Sequence, residues 1–177
     1  MARVSREKMK KDEEKVIKIL STNANESIDR IAKRCGFSRQ KTWRIITRLE
    51  KDRIIWGYHA VTDNEKLQIN NYIVLIKASL KPLKDIADLI LKRELETLAE
   101  QIDVVVEYSS LLNGVYDWVV IFNTRDIKHA KKFCNLLTLT YPDYIADLTL
   151  LEELFPLKKC GISNPDMKKL KEFSVTK

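Results

Sequence analysis

Apolar residues recur at helical spacing through the first sixty residues, which predicts three short helices separated by polar breaks. The first covers residues 12–21 and carries acidic residues in its first turn, where their negative charge interacts favourably with the positive end of the helix dipole. Ser27 is expected to cap the second helix, Gly36 to end it, and Ser38 to cap the third. Short helices joined by a tight turn containing glycine are typical of a helix-turn-helix.

The third helix, residues 38–53, has two chemically different sides. At about 100° per residue, Trp43, Ile46 and Leu49 fall together, and we expect them to pack against the other two helices. Trp43 is therefore interpreted as a core residue rather than a stacking residue. The opposite side is rich in hydrogen-bond donors, which suits the major groove of DNA, although a merely solvated face would show the same pattern.

The candidate DNA-contacting residues are Ser38, Arg39, Gln40, Lys41, Thr42, Arg44, Thr47, Arg48 and Lys51. Base reading falls mainly to the N-terminal half of a recognition helix, so Arg39, Gln40, Lys41 and Arg44 are the expected readers. Arg48 and Lys51, further along the helix, are better placed for phosphates.

After the third helix, strand-forming runs alternate with helical patterns and predict a second domain. The predicted elements are a strand at 54–61, a polar linker at 62–71, a strand at 72–80, a long helix with apolar positions between 83 and 102, strands at 104–110 and 116–123, a helix at 126–140 and a strand at 144–154. From residue 72 the order is β-α-β-β-α-β, as in the ferredoxin-like split βαβ fold.

The predicted fold class is therefore α+β, with an N-terminal helix-turn-helix (winged-helix-like) domain and a C-terminal ferredoxin-like βαββαβ domain. The predicted divisions are 1–61 for DNA binding, 62–71 for the linker, 72–157 for effector binding and oligomerisation, and 158–177 for a tail. In the tail, Asn164 is expected to cap a short helix that starts at Pro165.

Helices should cover one face of the predicted sheet and leave the other uncovered. We expect that uncovered face to carry Val104, Val106, Trp118 and Val120, or the residues that alternate with them. An uncovered apolar face normally finds a partner, so the sequence predicts at least a homodimer.

Charge is distributed unevenly along the chain. Residues 1–60 contain 16 Lys and Arg against 8 Asp and Glu, whereas residues 61–177 contain 16 against 17. A basic first third joined to a neutral remainder suggests a polyanion-binding part and a part with another role. Cys35, Cys134 and Cys160 are widely spaced and fit neither a zinc site nor a disulfide framework, and no metal or cofactor is expected.

Three stretches, in this order, resemble the Lrp/AsnC (feast/famine) transcription regulators: IDRIAKRCGFS, RIITRLEKDRIIWGY and NGVYDWVVIF. The resemblance extends from about residue 12 to 157, and an archaeal member is expected. It implies dimers, often assembled into tetramers or octamers, that bind double-stranded promoter DNA. Separately, the cysteine usage and the missing signal peptide indicate a cytoplasmic protein. The chain departs from the family pattern at Arg53, where glycine is common, and at Ile45, where arginine is common.

The resemblance further implies a small-molecule effector, often an amino acid, bound between subunits near the hairpin. The corresponding residues here are Leu112, Asn113, Gly114, Tyr116 and Asp117. Backbone N–H groups at the turn would receive a carboxylate and Asp117 would hold an ammonium. The alternative is that Gly114 only makes the turn and Asp117 pairs with or caps another group.

Two other functions are compatible with the same architecture: a siroheme-decarboxylase-like enzyme and a ligand-sensing adaptor that does not bind DNA. The only histidines, His59 and His129, have no recognisable catalytic or metal-binding partner in the sequence. The basic helix also argues against loss of DNA binding. We therefore expect a regulator and not an enzyme. The apolar runs are too short to cross a bilayer.

Overall fold

A computed structural model describes residues 2–80 and 84–173, with side chains described at 7–80 and 87–172. The chain forms two compact units. The terminal unit contains Met1–Thr62 together with the chain from Pro156 onward, and the middle unit contains Asp63–Phe155. The functional boundaries of the predicted domains stay a prediction.

The terminal unit contains three helices: α1 (Ala2–Leu20), α2 (Ile28–Cys35) and α3 (Arg39–Lys51). The predicted caps are confirmed, since the Ser27 and Ser38 hydroxyls accept hydrogen bonds from the backbone N–H groups of Arg30 and Lys41. Helix α1 begins ten residues before its predicted start at residue 12. The added residues lack glycine and proline, and their Arg, Lys, Glu and Met are good helix formers, so nothing local stops the helix.

The buried core of the terminal unit consists of Val16, Ile19, Ile31, Cys35, Ile45 and Leu49. In α3 the buried positions are Thr42, Ile45 and Leu49, with Ile46 packed at the edge of the cluster. The assignment of Trp43 to the core is wrong, because its side chain is 53% exposed.

A left-handed backbone follows both α2 and α3. Gly36 ends α2 at φ 69°, where its N–H bonds back to the helix. Arg53 has φ 54° just after α3. A side chain is strained in this region of backbone conformation. This explains why glycine is common at this position in the regulators that the chain resembles.

Gly36→Ala is expected to lower the free energy of unfolding by about 1–2 kcal/mol, because alanine is strained in the left-handed region. Gly57→Ala is the matched control, since Gly57 has no positive φ and nothing within 4 Å of its added Cβ. Urea unfolding followed by circular dichroism compares the two variants. Equal midpoints for both would contradict the strain argument.

The strand predicted at 54–61 is not present. Residues 54–69, all of which the structure describes, form no strand, and the N–H groups of Ile54 and Ile55 bond to the Leu49 carbonyl at the end of α3. A strand-rich composition forms a strand only where a neighbour accepts its hydrogen bonds.

The middle unit confirms the predicted β-α-β-β-α-β order. Its elements are β1 (Asn70–Ala78), α4 (Lys84–Leu91), α5 (Glu94–Glu100), β2 (Val105–Leu111), β3 (Trp118–Thr124), α6 (Ile127–Thr140) and β4 (Ile145–Glu152). The strands form one antiparallel sheet in the order β2-β3-β1-β4. The predicted long helix is divided into α4 and α5, which are separated at Arg93, a residue with φ 56°.

The helices of the middle unit pack on one face of the sheet. Tyr72, Phe122 and Phe133 are completely buried there, with the Phe122 and Phe133 ring centroids 4.6 Å apart. Val104, Trp118 and Val120 belong to this buried core and Val106 packs against it, so of the two predicted alternatives the residues that alternate with these four form the uncovered face. The alternation shows that two faces differ but does not show which face the helices cover.

The chain after the middle unit forms a small hairpin, β5 (Lys158–Lys159) and β6 (Ile162–Ser163), then a 3₁₀ turn (Met167–Lys169) and α7 (Leu170–Phe173). Asn164 does not cap a helix beginning at Pro165. Its side chain bonds to the Pro156 carbonyl and the Asp166 N–H, and thus shapes the bend after the hairpin.

Candidate nucleic-acid interface

Helix α3 presents one exposed polar face because its opposite face is packed against α1 and α2. The exposed residues on α3 and at its cap are Ser38, Arg39, Gln40, Trp43, Arg44, Thr47, Glu50 and Lys51. Most predicted DNA contacts therefore lie on one accessible surface, which we call the α3 face. Arg39 also pairs with Asp29 at 3.4 Å, and this pair is exposed enough for solvent to screen it strongly.

Lys41 and Arg48, two of the predicted contacts, point toward α1. Lys41 Nζ lies 2.7 Å from Asp12 Oδ2 and over the Phe37 ring, while Arg48 Nη2 lies 2.7 Å from Glu13 Oε1. Both side chains are partly buried, and their positive charges are compensated within the unit. They lie beside the α3 face rather than at its centre.

Thr42, another predicted contact, is completely buried, and its hydroxyl donates to the Ser38 carbonyl at 3.2 Å. Its side chain is therefore not on the accessible surface, which corrects its inclusion among the candidates. Trp43 takes its place, as a large aromatic group between Gln40 and Thr47 on the exposed side. The sequence contained a signal for this arrangement. Thr42, Ile45 and Leu49 recur at helical spacing as regularly as the predicted core residues Trp43, Ile46 and Leu49.

The predicted effector residues lie in the turn between β2 and β3. The Asp117 carboxylate accepts a 2.7 Å hydrogen bond from the Ala78 N–H, and the Leu112 N–H donates to the Asp117 carbonyl. Gly114 has no positive φ and open space around its Cβ position, so the turn geometry itself does not require glycine there. Tyr116 lies near Lys77, whose ammonium is 5.7 Å from the ring centroid.

Residues 13–55 match the family model for a winged helix-turn-helix DNA-binding domain. The chain is 29% identical over 119 residues to the HTH-type transcriptional regulator Ptr1 of Methanocaldococcus jannaschii, covering 67% of this chain and 74% of that protein. An AsnC family transcriptional regulator from Agrobacterium tumefaciens superposes with a TM-score of 0.61 at 21% identity, covering 84% of this chain and 92% of that one. The chain has the two-domain fold of the Lrp/AsnC regulators. The predicted resemblance and fold class are thereby confirmed.

The chain is also similar to the transcriptional regulator NMB0573 from Neisseria meningitidis, whose structure was solved as an L-Met complex. It superposes with a TM-score of 0.61 at 19% identity, covering 90% of this chain and 97% of that one.

In this chain, His129 is a structural residue at the start of α6, where its ring Nδ1 lies 2.9 Å from the Asp126 carboxylate. The His129 backbone N–H lowers the pKa of that carboxyl. Among the described residues, no group of His, Cys, Asp and Glu could hold a metal ion, and no helix is long and apolar enough to cross a membrane.

Proposed function

We propose that this protein is a sequence-specific DNA-binding transcription regulator of the Lrp/AsnC type, and that its α3 face enters the major groove. The observation that carries the proposal is the exposure of Arg39, Gln40, Arg44 and Lys51 on a helix whose other side is buried. A major groove admits one α-helix, and its base edges match these donors.

Each part of the α3 face suits a different contact. Arg44 offers a fork of donors for guanine O6 and N7, and Gln40 offers a donor and an acceptor for adenine. Trp43 provides apolar surface beside Gln40, suited to the methyl group of thymine. Lys51, at the end of the helix, is placed for a phosphate.

The uncovered face of the sheet supports self-association. Val105 is 63% exposed, Tyr108 51% and Leu151 44%, and all three belong to the set that alternates with the buried core. A second copy of the chain would remove this apolar surface from water. Two-fold pairing would also give the assembly two α3 faces, the number that a pair of DNA half-sites requires.

Selection of bound duplexes from a random pool tests DNA recognition directly. We expect an enriched motif with two related half-sites, separated by about 10 base pairs or a multiple of that spacing. Binding without any enriched sequence would contradict specific recognition. Enrichment of single, unpaired half-sites would instead contradict paired reading by a dimer.

We also propose an amino-acid effector at the turn between β2 and β3. Open space beside Gly114 would let a ligand carboxylate approach the backbone N–H groups, and the L-Met complex of NMB0573 supports this ligand class. Asp117 already accepts the Ala78 N–H, but a carboxylate has further lone pairs for an ammonium. Asp117→Ala would leave that N–H without its partner, so it is not a clean test of ligand binding.

Gly114→Val is the sharper variant, because its backbone has no positive φ and its surroundings leave room for a side chain. In calorimetry against the twenty amino acids, we expect one to bind, and Gly114→Val to weaken that binding at least about tenfold by filling the approach to the backbone. Asp117→Asn, which removes the charge but keeps an acceptor for Ala78, should weaken it as well. Binding that neither variant changes would place the ligand elsewhere.

A further inference from the structure

The C-terminal hairpin belongs to the terminal unit, although the whole middle unit separates it from α3 in sequence. Cys160 and Ile162 line an apolar cleft of about 320 Å³, together with Leu20 at the end of α1 and Ile54 and Trp56 just after α3. At Gly161 a Cβ would lie 3.5 Å from the Ser21 carbonyl. The hairpin is thus packed where the chain leaves the recognition helix.

That position is where a winged helix-turn-helix places its wing, a β-hairpin beside the recognition helix. Residues 13–55 match a winged model, yet residues 54–69, all described, form no strand. Within the described chain, β5 and β6 make the one two-stranded sheet, and they lie in the same unit as α3.

The charge of the segment agrees with a DNA-facing role. From residue 156 onward there are six lysines and two acidic residues, a net charge of +4. Residues 1–62 carry 16 basic and 8 acidic residues, whereas residues 63–155 carry 10 and 15, so their net charges are +8 and −5. The segment that packs with the basic unit is therefore itself basic, while the unit it follows in sequence is acidic.

Exposed lysines lie on both parts of the segment. Lys158 is on the hairpin, and Lys168 and Lys171 are on the helical turns that follow it. The C-terminal end of a recognition helix is commonly the end at which the phosphate backbone is contacted. Cys160 and Ile162 share a cleft with Ile54 and Trp56, which directly follow that end of α3.

We propose that the C-terminal segment is a wing supplied from the far end of the chain, and that its lysines bind DNA phosphates beside the groove occupied by α3. The inference rests on the proposed DNA binding and adds a second contact surface to it. This surface contributes affinity without sequence preference, because phosphates are the same at every base pair.

The test compares two double variants of the full-length protein. Lys158→Ala with Lys168→Ala removes two exposed charges from the proposed wing, and Lys131→Ala with Lys132→Ala removes two exposed charges from α6 of the middle unit. Binding to a duplex without the selected motif is measured between about 50 and 200 mM salt, where each phosphate contact contributes about 0.9 to the slope of log affinity against log salt.

We expect the wing variant to lower that slope by about one to two units and to weaken selected and unselected duplexes by the same factor, with the α6 variant unchanged. Matching thermal unfolding curves would confirm that both variants are folded. An unchanged slope for the wing variant, while the unmodified protein binds normally, would overturn the wing and leave the proposed function standing. A protein that fails to bind any duplex would overturn both.

Discussion

Arg44→Ala is expected to weaken binding to the selected DNA motif by about 5- to 150-fold, which corresponds to about 1–3 kcal/mol. Arg44 is exposed on the α3 face, and its Nε donates to the Gln40 carbonyl at 3.4 Å, so the side chain lies along the helix surface. The loss should be concentrated at one base pair of each half-site, because a bidentate contact reads one guanine. A repeated selection with the variant would show that position relaxed.

Lys51→Ala is the matched control on the same helix. Since a phosphate carries no sequence information, this change should weaken selected and unselected duplexes alike and lower the salt slope by about one unit. Gel-shift titrations at moderate salt separate the two patterns. If Arg44→Ala bound the selected motif as tightly as the unmodified protein, the base-reading role of the α3 face would be disproved.

Phe122→Ala is expected to have the largest effect on stability, lowering the free energy of unfolding by about 3–5 kcal/mol. Phe122 is completely buried, with ring centroids 5.7 Å from Tyr72 and 4.6 Å from Phe133. Removing the ring opens a cavity between the sheet and α6 that well-packed neighbours fill only partly. Because domain stability is commonly about 5–15 kcal/mol, the middle unit would lose a large share of it.

Tyr108→Ala provides the comparison on the opposite face of the same sheet. Its side chain is 51% exposed in the single chain, so the change should alter unfolding little in conditions where the protein is monomeric. It should instead weaken self-association if the uncovered face is the dimer surface. Urea unfolding and light scattering measure these two quantities. Unfolding midpoints that agree between Phe122→Ala and the unmodified protein would contradict the assigned core.

Local signals in the sequence were sufficient for α2 and α3 of the terminal unit and for the element order of the middle unit. Ser27, Gly36 and Ser38 act through hydrogen bonds to residues a few positions away, so their effect can be predicted from the local sequence alone. Alternating apolar positions likewise predict strands wherever a partner strand exists. The same reasoning was wrong for residues 54–61, where hydrogen bonds to the end of α3 replace a strand partner.

The α3 face shows where periodicity becomes ambiguous. Trp43, Ile46 and Leu49 and the set Thr42, Ile45 and Leu49 have nearly the same spacing, so either could form the buried side. Packing against α1 and α2 selected the second set, with the smaller Thr42 buried and the larger Trp43 exposed. The exchange matters for function because it adds an aromatic group to the proposed reading surface.

The sequence by itself determined the basic character of the first third, the caps that bound its helices, and the β-α-β-β-α-β order, because these depend on composition and on neighbours along the chain. Only the tertiary structure decided which side of α3 is exposed, which face of the sheet the helices cover, and that the C-terminal hairpin lines a cleft with the end of α1 and the chain that follows α3. Those features arise from contacts between residues far apart in sequence, and the pattern around each residue does not specify its distant partner.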